Sequence, residues 1–328
     1  MENKNIAAVL DLLSDTLLQH DYLPQVYLES RPNTGDTDSP LSGASLPDTP
    51  ATLLRPKEAK LPYFLHQLGI RSMTIDDPGN IDTLLTAASE IDSTIKGATI
   101  NYFRNPAYIE HIRAIMQHCS TIAFTDWASY AGASDSWDSL LREVIKPLKK
   151  RDMEFIFYLG NISSSPVFKV DEALDIMSDY SRYGRTTFAL DQQEMKSLWQ
   201  QLNGVKTNKN DDSWPFDYEE KFRFLFNTMK VQILMVYSPN GVSVYSQDQR
   251  FNLSREILPA HIENSSHART DFINGYTMGL TLKLDISLCT ALGIVYYAAC
   301  GQYKAKPDRK ALLDYIAAWR KKSGNTTS

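Results

Sequence analysis

Between residues 107 and 246, short apolar runs of β-prone residues alternate with longer stretches of amphipathic helical pattern. Such alternation predicts a mostly parallel sheet with helices on both faces, because each parallel strand returns to the sheet through a crossover helix. The run at 154–159 is the most strongly β-prone of the series. We therefore predict a three-layer α/β domain. The expected elements are strands over 121–124, 154–159, 186–190 and 232–236, a hairpin arm over 242–246, and helices over 107–118, 136–150, 170–180, 193–202 and 219–229.

The flanking segments extend this prediction to a single domain over residues 1–328. Residues 5–15 fit a first strand or a helix, because an apolar run of this length does not distinguish the two. Residues 31–56 are rich in Pro, Ser, Thr, Gly and Asp and predict a flexible loop. Residues 272–303 are strongly apolar but carry Lys283 and Asp285, which favours two buried helices over a membrane span. A strand over 71–75 and helices over 59–68 and 82–95 are also expected.

Charge and cysteine content limit the classes of binding partner and the cellular location that can be expected for the chain. The 328 residues carry 34 Lys and Arg against 39 Asp and Glu, a net charge of −5, without long basic runs. This balance argues against nucleic acid or an anionic membrane as the main partner. The three cysteines show neither a CxxC motif nor metal-ligand spacing to histidine, so we predict no metal site and a reducing cytoplasmic location. P-loop, dinucleotide-binding, serine-hydrolase and zincin motifs are absent, which argues against those enzyme classes.

The C-terminal third carries a recognisable motif. Residues 264–275 read NSSHARTDFING and precede two apolar helical stretches separated by a polar turn, the second ending in paired alanines. This layout resembles the closing motif D-[TS]-[TS]-G-A-G-D-x-F-x-x-G of ribokinase-like (PfkB-type) carbohydrate kinases, with Phe272 and Gly275 in register. Three further segments resemble family motifs in the same order along the chain: HQLG at 66–69, DQQE at 191–194, and MVYSPNG at 235–241.

The resemblance implies a catalytic site that has been overwritten. In the family, two glycines let backbone N–H groups approach the phosphoryl group and an Asp removes the substrate proton. Here the four positions read His267, Ala268, Arg269 and Thr270, and a threonine cannot act as that base. Asp271 is one residue further on, but one helical step turns a side chain by about 100°. We therefore expect a pseudokinase that acts by ligand or partner binding. The alternative is a divergent ATP-dependent kinase that phosphorylates a sugar or nucleoside hydroxyl with Asp271.

Several candidate site residues have two interpretations. Arg269 either fills the vacated nucleotide pocket or joins His267 in presenting positive charge to an anion. The resemblance implies that Asp15 binds the substrate, with helix capping as the alternative. Asp191 and Glu194 either organise hydrated Mg²⁺ or cap the helix that follows them.

The resemblance also implies cofactors, a lid and an assembly. ATP and Mg²⁺ are the expected cofactors, bound weakly or not at all, and a sugar or nucleoside is the expected ligand. Gly241 is the one glycine left in the nucleotide turn, and a hairpin residue with positive φ is its other interpretation. A small β lid is expected from residues 16–30 and 95–103, through which we expect a homodimer.

Overall fold

The structure is a computed structural model that describes residues 2–3, 6–19, 25–31, 70–76, 106–117, 119–124, 127–129, 132–205, 218–238, 241–254, 268–303, 307 and 309–324. The strands are β1 (Glu2–Asn3), β2 (Gln25–Arg31), β3 (Ile70–Asp76), β4 (Cys119–Phe124), β5 (Met153–Phe157), β6 (Gly184–Asp191), β7 (Ile233–Ser238), β8 (Gly241–Ser246) and β9 (Arg250–Ser254). The helices are α1 (Ile6–Gln19), α2 (Pro106–Gln117), α3 (Ala133–Leu140), α4 (Val167–Tyr180), α5 (Gln192–Leu202), α6 (Tyr218–Met229), α7 (Ala268–Thr281), α8 (Ile286–Tyr303) and α9 (Arg309–Gly324). Helix α3 continues through a π turn (Leu141–Ile145) into Lys146–Leu148, and a 3₁₀ turn (Trp127–Ser129) follows β4.

The described strands form one nine-stranded sheet in the order β1-β9-β8-β7-β6-β5-β4-β2-β3. Six neighbouring strands run parallel to one another: β3, β2, β4, β5, β6 and β7. Strand β8 pairs antiparallel with both β7 and β9, and β1 pairs parallel with β9. The strand order reverses between β2 and β4, which is the kind of position where open α/β sheets hold ligands beyond their carboxyl ends. The predicted mostly parallel sheet is confirmed.

Alternate residues of the parallel strands face two separate apolar cores. One core packs against α1, α7, α8 and α9 and receives the small or medium side chains Ala123, Ile156, Ala189 and Met235. The other core packs against helices of the α2–α6 series and receives Ile122, Phe124, Phe155, Phe157, Phe188, Leu190, Leu234 and Val236. This period-two division explains why these strands read as continuous apolar runs, since both faces are covered. The three-layer prediction is therefore confirmed.

The apolar C-terminal stretch forms two buried helices, as predicted. Helices α7 and α8 are joined by a short turn in which Lys283 and Asp285 are exposed. The helices meet at glycines: a Cβ added at Gly279 would lie 2.6 Å from Cα of Cys289. Helix α8 also packs against α1, and most of its residues before Gly301 are buried. None of the described helices is both long and apolar enough to cross a bilayer.

The N-terminal region decides one open prediction and corrects another. Residues 6–19 form a helix, which decides between the strand and the helix that the apolar run allowed. The lid element expected over 16–30 is wrong where the structure describes it, because 25–31 is an inner strand paired parallel with β3 and β4. An apolar strand has the same pattern in a lid and in a sheet, and its pairing partners decide which it joins. Four other predictions fall outside the described residues: the second lid element at 95–103, residues 32–56 of the expected loop, and the helices at 59–68 and 82–95.

Candidate functional site

The first turn of α7 lies at the carboxyl end of β7. The ring of Phe272 stacks on that of Tyr237, the last residue but one of β7, with centroids 5.4 Å apart and planes 26° from parallel. This contact places the helix start above the carboxyl edge of the sheet. A helix N-terminus at this edge presents unpaired backbone N–H groups to whatever lies in the crevice.

Two further contacts fix the rotation of α7 about its axis. The hydroxyl oxygens of Tyr276 and Thr187 are 3.1 Å apart in the core, so a hydrogen bond ties the helix to β6. Burial raises the pKa of Tyr276, which therefore stays protonated. On the neighbouring side, a Cβ added at Gly275 would lie 2.6 Å from the carbonyl oxygen of Leu292 on α8. A slip of one residue along α7 would bring Asn274 or Tyr276 to this place. Neither side chain fits where even a Cβ would overlap with α8.

This register places Thr270 in the first turn of α7, two residues before Phe272. Phe272 contacts the sheet and Gly275 contacts α8. That Thr270 takes the place of the family's catalytic base stays a prediction. The backbones of Ala268, Arg269 and Thr270 form the first turn of α7, and His267 lies outside the described residues. Whether Arg269 contacts an anion or fills the nucleotide pocket stays a prediction.

Asp271 lies on the part of α7 nearer to α8. It is partly buried, and its negative charge is among the causes that raise the pKa of Tyr296 on α8, after burial itself and Cys300. One helical step of about 100° separates its direction from that of position 270. The carboxylate closest in sequence to the base position is thus directed towards a neighbouring helix.

Asp191 and Glu194 form a reciprocal cap at the start of α5. The backbone N–H of Glu194 donates to Oδ1 of Asp191 at 2.7 Å, and the backbone N–H of Asp191 donates to Oε2 of Glu194 at 2.9 Å. Asp191 ends β6 and is the N-cap of the helix. The D-x-x-E spacing is thus a capping box, one of the two interpretations that the sequence left open.

Gly241 begins β8, directly after the two-residue connection from β7. Its φ of 148° lies in the region that favours glycine, and the residue is buried. Ser238, which replaces the first glycine of the family's nucleotide turn, donates its hydroxyl hydrogen to the carbonyl oxygen of Gly241 at 3.1 Å. The turn is therefore closed by its own side chain, and the expected antiparallel arm over 242–246 is confirmed.

Asp15 does not lie at a strand end. It is an exposed residue inside helix α1. Its expected role in substrate binding stays a prediction. Among the residues that the structure describes, no three His, Cys, Asp or Glu side chains are grouped as metal ligands would be.

Two features escaped the sequence analysis. The stack of Phe272 on Tyr237 pairs residues far apart in the chain, and only their aromatic character was visible beforehand. A surface groove of about 460 Å³ lies between α3 and α4 and is lined by several carboxylates, including Asp171, Asp175 and Asp179. Their spacing of four residues along α4 is the signal that could have revealed this acidic face.

Comparison with known proteins finds similarity to solved structures alone. No protein-family model matches the chain, and no curated protein matches it. Solved structures that do match include a probable sugar kinase from Rhizobium etli, with 19% identity, a TM-score of 0.44, and coverage of 64% of this chain and 57% of that one. Arabidopsis thaliana ribokinase, complexed with ribose and ATP, matches with 16% identity, a TM-score of 0.42, and coverage of 65% and 59%. Adenosine kinase from Schistosoma mansoni, in complex with 2-fluoroadenosine, matches with 8% identity, a TM-score of 0.49, and coverage of 92% and 80%.

These structures are sugar and nucleoside kinases, the class that the motifs of the chain resemble. The chain spans about 57% of the length of the first solved structures that it matches.

Proposed function

We propose that this chain is a catalytically impaired homologue of ribokinase-type sugar kinases, a pseudokinase that acts by binding a ligand or a partner. The observation that carries the proposal is the register of α7. Phe272 and Tyr276 contact the sheet and Gly275 contacts α8, which supports the assignment of the base position to Thr270. A slip that would bring Asp271 there would break all three contacts.

The chemical consequence is a large loss of rate. A threonine hydroxyl does not ionise near neutral pH, so it cannot take the proton of a substrate hydroxyl. Loss of a positioned general base lowers a rate by about 10²–10⁴-fold. The side chains at 267 and 269, where the family has glycine, would keep the phosphoryl group away from the backbone N–H donors, and each donor lost from such a site lowers the rate by a further ~10²–10³.

Binding is the function that the remaining features support. The crevice at the carboxyl ends of the strands and the start of α7 is the place where a small ligand fits best. We propose a sugar or a nucleoside as that ligand, with ATP held weakly or not at all. A cytoplasmic location and a homodimer through the lid stay predictions, and light scattering on the purified chain tests the second.

The test separates binding from turnover. The full-length chain is titrated calorimetrically with Mg·ATP, and a panel of sugars and nucleosides is screened by thermal shift and then assayed for phosphorylation. We expect no heat at millimolar Mg·ATP, a thermal shift with at least one panel member, and no phosphorylated product.

Activity would support the alternative of a divergent kinase. In that case a phosphorylated product forms with Mg·ATP, and Asp271→Asn abolishes its formation. The matched control is Asp175→Asn, an exposed carboxylate on α4 that should leave any activity unchanged. Product formation that depends on Asp271 and not on Asp175 would refute the pseudokinase proposal.

A further inference from the structure

We propose that the two carboxylates at the carboxyl end of β6, Asp191 and Glu194, hold helix α5 and do not hold a divalent cation. The inference deepens the proposed function, in which Mg·ATP is held weakly or not at all, and the metal test is independent of that function. The resemblance to ribokinase-type kinases implies Mg²⁺ at this edge, and these two side chains are the ones that would organise it there.

One oxygen of each carboxylate accepts a hydrogen bond from the backbone. Oδ1 of Asp191 accepts from the N–H of Glu194, and Oε2 of Glu194 accepts from the N–H of Asp191, at 2.7 and 2.9 Å. Asp191 has the extended conformation of an N-cap, with φ −87° and ψ 173°. These two bonds satisfy N–H groups that the first turn of a helix leaves without intrahelical partners.

Burial removes Glu194 from reach of a hydrated ion. Its side chain lies almost entirely inside the protein, with 5% of the residue's surface exposed. Mg²⁺ keeps several waters in an octahedral shell and loses them reluctantly, so a carboxylate that holds the ion through water needs room beside it for those waters. Glu194 faces the interior instead.

The local field also disfavours a cation. The amino end of a helix carries a partial positive charge, which stabilises carboxylates and repels cations in its first turn. Asp191 and Glu194 lie at that end of α5 and complement it. A divalent ion placed between them would have to compete with this interaction as well as with the capping hydrogen bonds.

Conservative variants separate the two roles. Glu194→Gln and Asp191→Asn remove charge but keep the groups that a capping box uses, since Gln serves at the third helical position and Asn serves as an N-cap. Asp191→Ala removes the cap and is expected to lower the folding equilibrium constant about 2- to 30-fold. The full-length chain and these variants are titrated with Mn²⁺, which reports binding by its electron paramagnetic resonance signal, and are unfolded in urea with Mg²⁺ or with EDTA.

We expect no stoichiometric Mn²⁺ binding that depends on this pair, urea midpoints that are the same with Mg²⁺ and EDTA, and near-wild-type midpoints for Glu194→Gln and Asp191→Asn. Binding of Mn²⁺ that persists in both conservative variants lies elsewhere and agrees with the proposal. Binding of one Mn²⁺ that either conservative variant abolishes overturns it. An unchanged urea midpoint in Asp191→Ala overturns it too, because the cap would then contribute nothing. Neither result depends on phosphoryl transfer, so failure here is distinct from failure of the proposed function.

Discussion

Replacing Gly275 with alanine adds a methyl group where α7 and α8 are in closest contact. The new Cβ would lie 2.6 Å from the carbonyl oxygen of Leu292, 2.6 Å from Cβ of Tyr296 and 2.8 Å from Cα of Gly293. Two of these atoms belong to the backbone of a buried helix, so no side-chain rotation can relieve the overlap. The helices must separate by about 0.8 Å to reach ordinary contact distance.

The expected loss of stability follows from two opposing effects. Overpacking of a close-packed interior costs about 1–3 kcal/mol. Alanine in place of glycine in a helix contributes up to ~1 kcal/mol in the other direction. Gly301→Ala on α8 is the matched control, because Gly301 is exposed on the same helix and alanine also gains helix propensity there. The difference between the two variants therefore isolates the overpacking cost, about 1–3 kcal/mol.

Urea unfolding followed by circular dichroism measures this difference, provided that the slopes of the transitions are equal. We expect Gly301→Ala to unfold at or above the wild-type midpoint and Gly275→Ala clearly below it. Equal midpoints for the two variants would refute the close packing of α7 against α8. The register of α7, and with it the placement of the base position at Thr270, would then lose one of its three supports.

Two further outcomes are expected from buried hydroxyl groups. Tyr276→Phe leaves the hydroxyl of Thr187 without its partner and should lower the free energy of unfolding by about 1–3 kcal/mol. The double variant Tyr276→Phe, Thr187→Val should regain a large part of that free energy. A single variant as stable as the wild type in urea would contradict the hydrogen bond. Burial, followed by the charge of Glu219, raises the pKa of Tyr245 from 10.0 to about 12, so the native state keeps a proton that the unfolded chain loses. The free energy of unfolding should therefore fall as pH rises from about 10 towards 12, and the fall should be smaller in Tyr245→Phe; identical urea midpoints against pH for both proteins would refute the shift.

The sequence by itself determined most of the elements between residues 106 and 254. Alternation of β-prone runs and amphipathic stretches predicted strands and helices that the structure shows within a few residues, because hydrophobic periodicity is a local property. The antiparallel arm after β7 was likewise visible from the turn residues around Gly241. Helix α9 and strand β9 were not among the predicted elements, although the buried residues Leu312, Tyr315, Ile316 and Trp319 of α9 have the spacing of one helix face.

Tertiary structure decided the features that depend on contacts between distant segments. Residues 6–19 became a helix because their apolar side packs against α8 and α9, and residues 25–31 became an inner strand because β3 and β4 pair with them. The DQQE segment allowed a metal site or a cap, and burial of Glu194 together with its backbone hydrogen bonds favoured the cap.

The motif of the candidate site shows the same division. The residue types at 267–270 were enough to predict an impaired kinase, because a threonine side chain cannot act as a general base. Whether Asp271 could replace it depended on the rotation of α7, which is fixed by Tyr237, Thr187 and the backbone of α8. No local pattern encodes that rotation, since it results from packing among residues that are 17 to 89 positions apart in the chain.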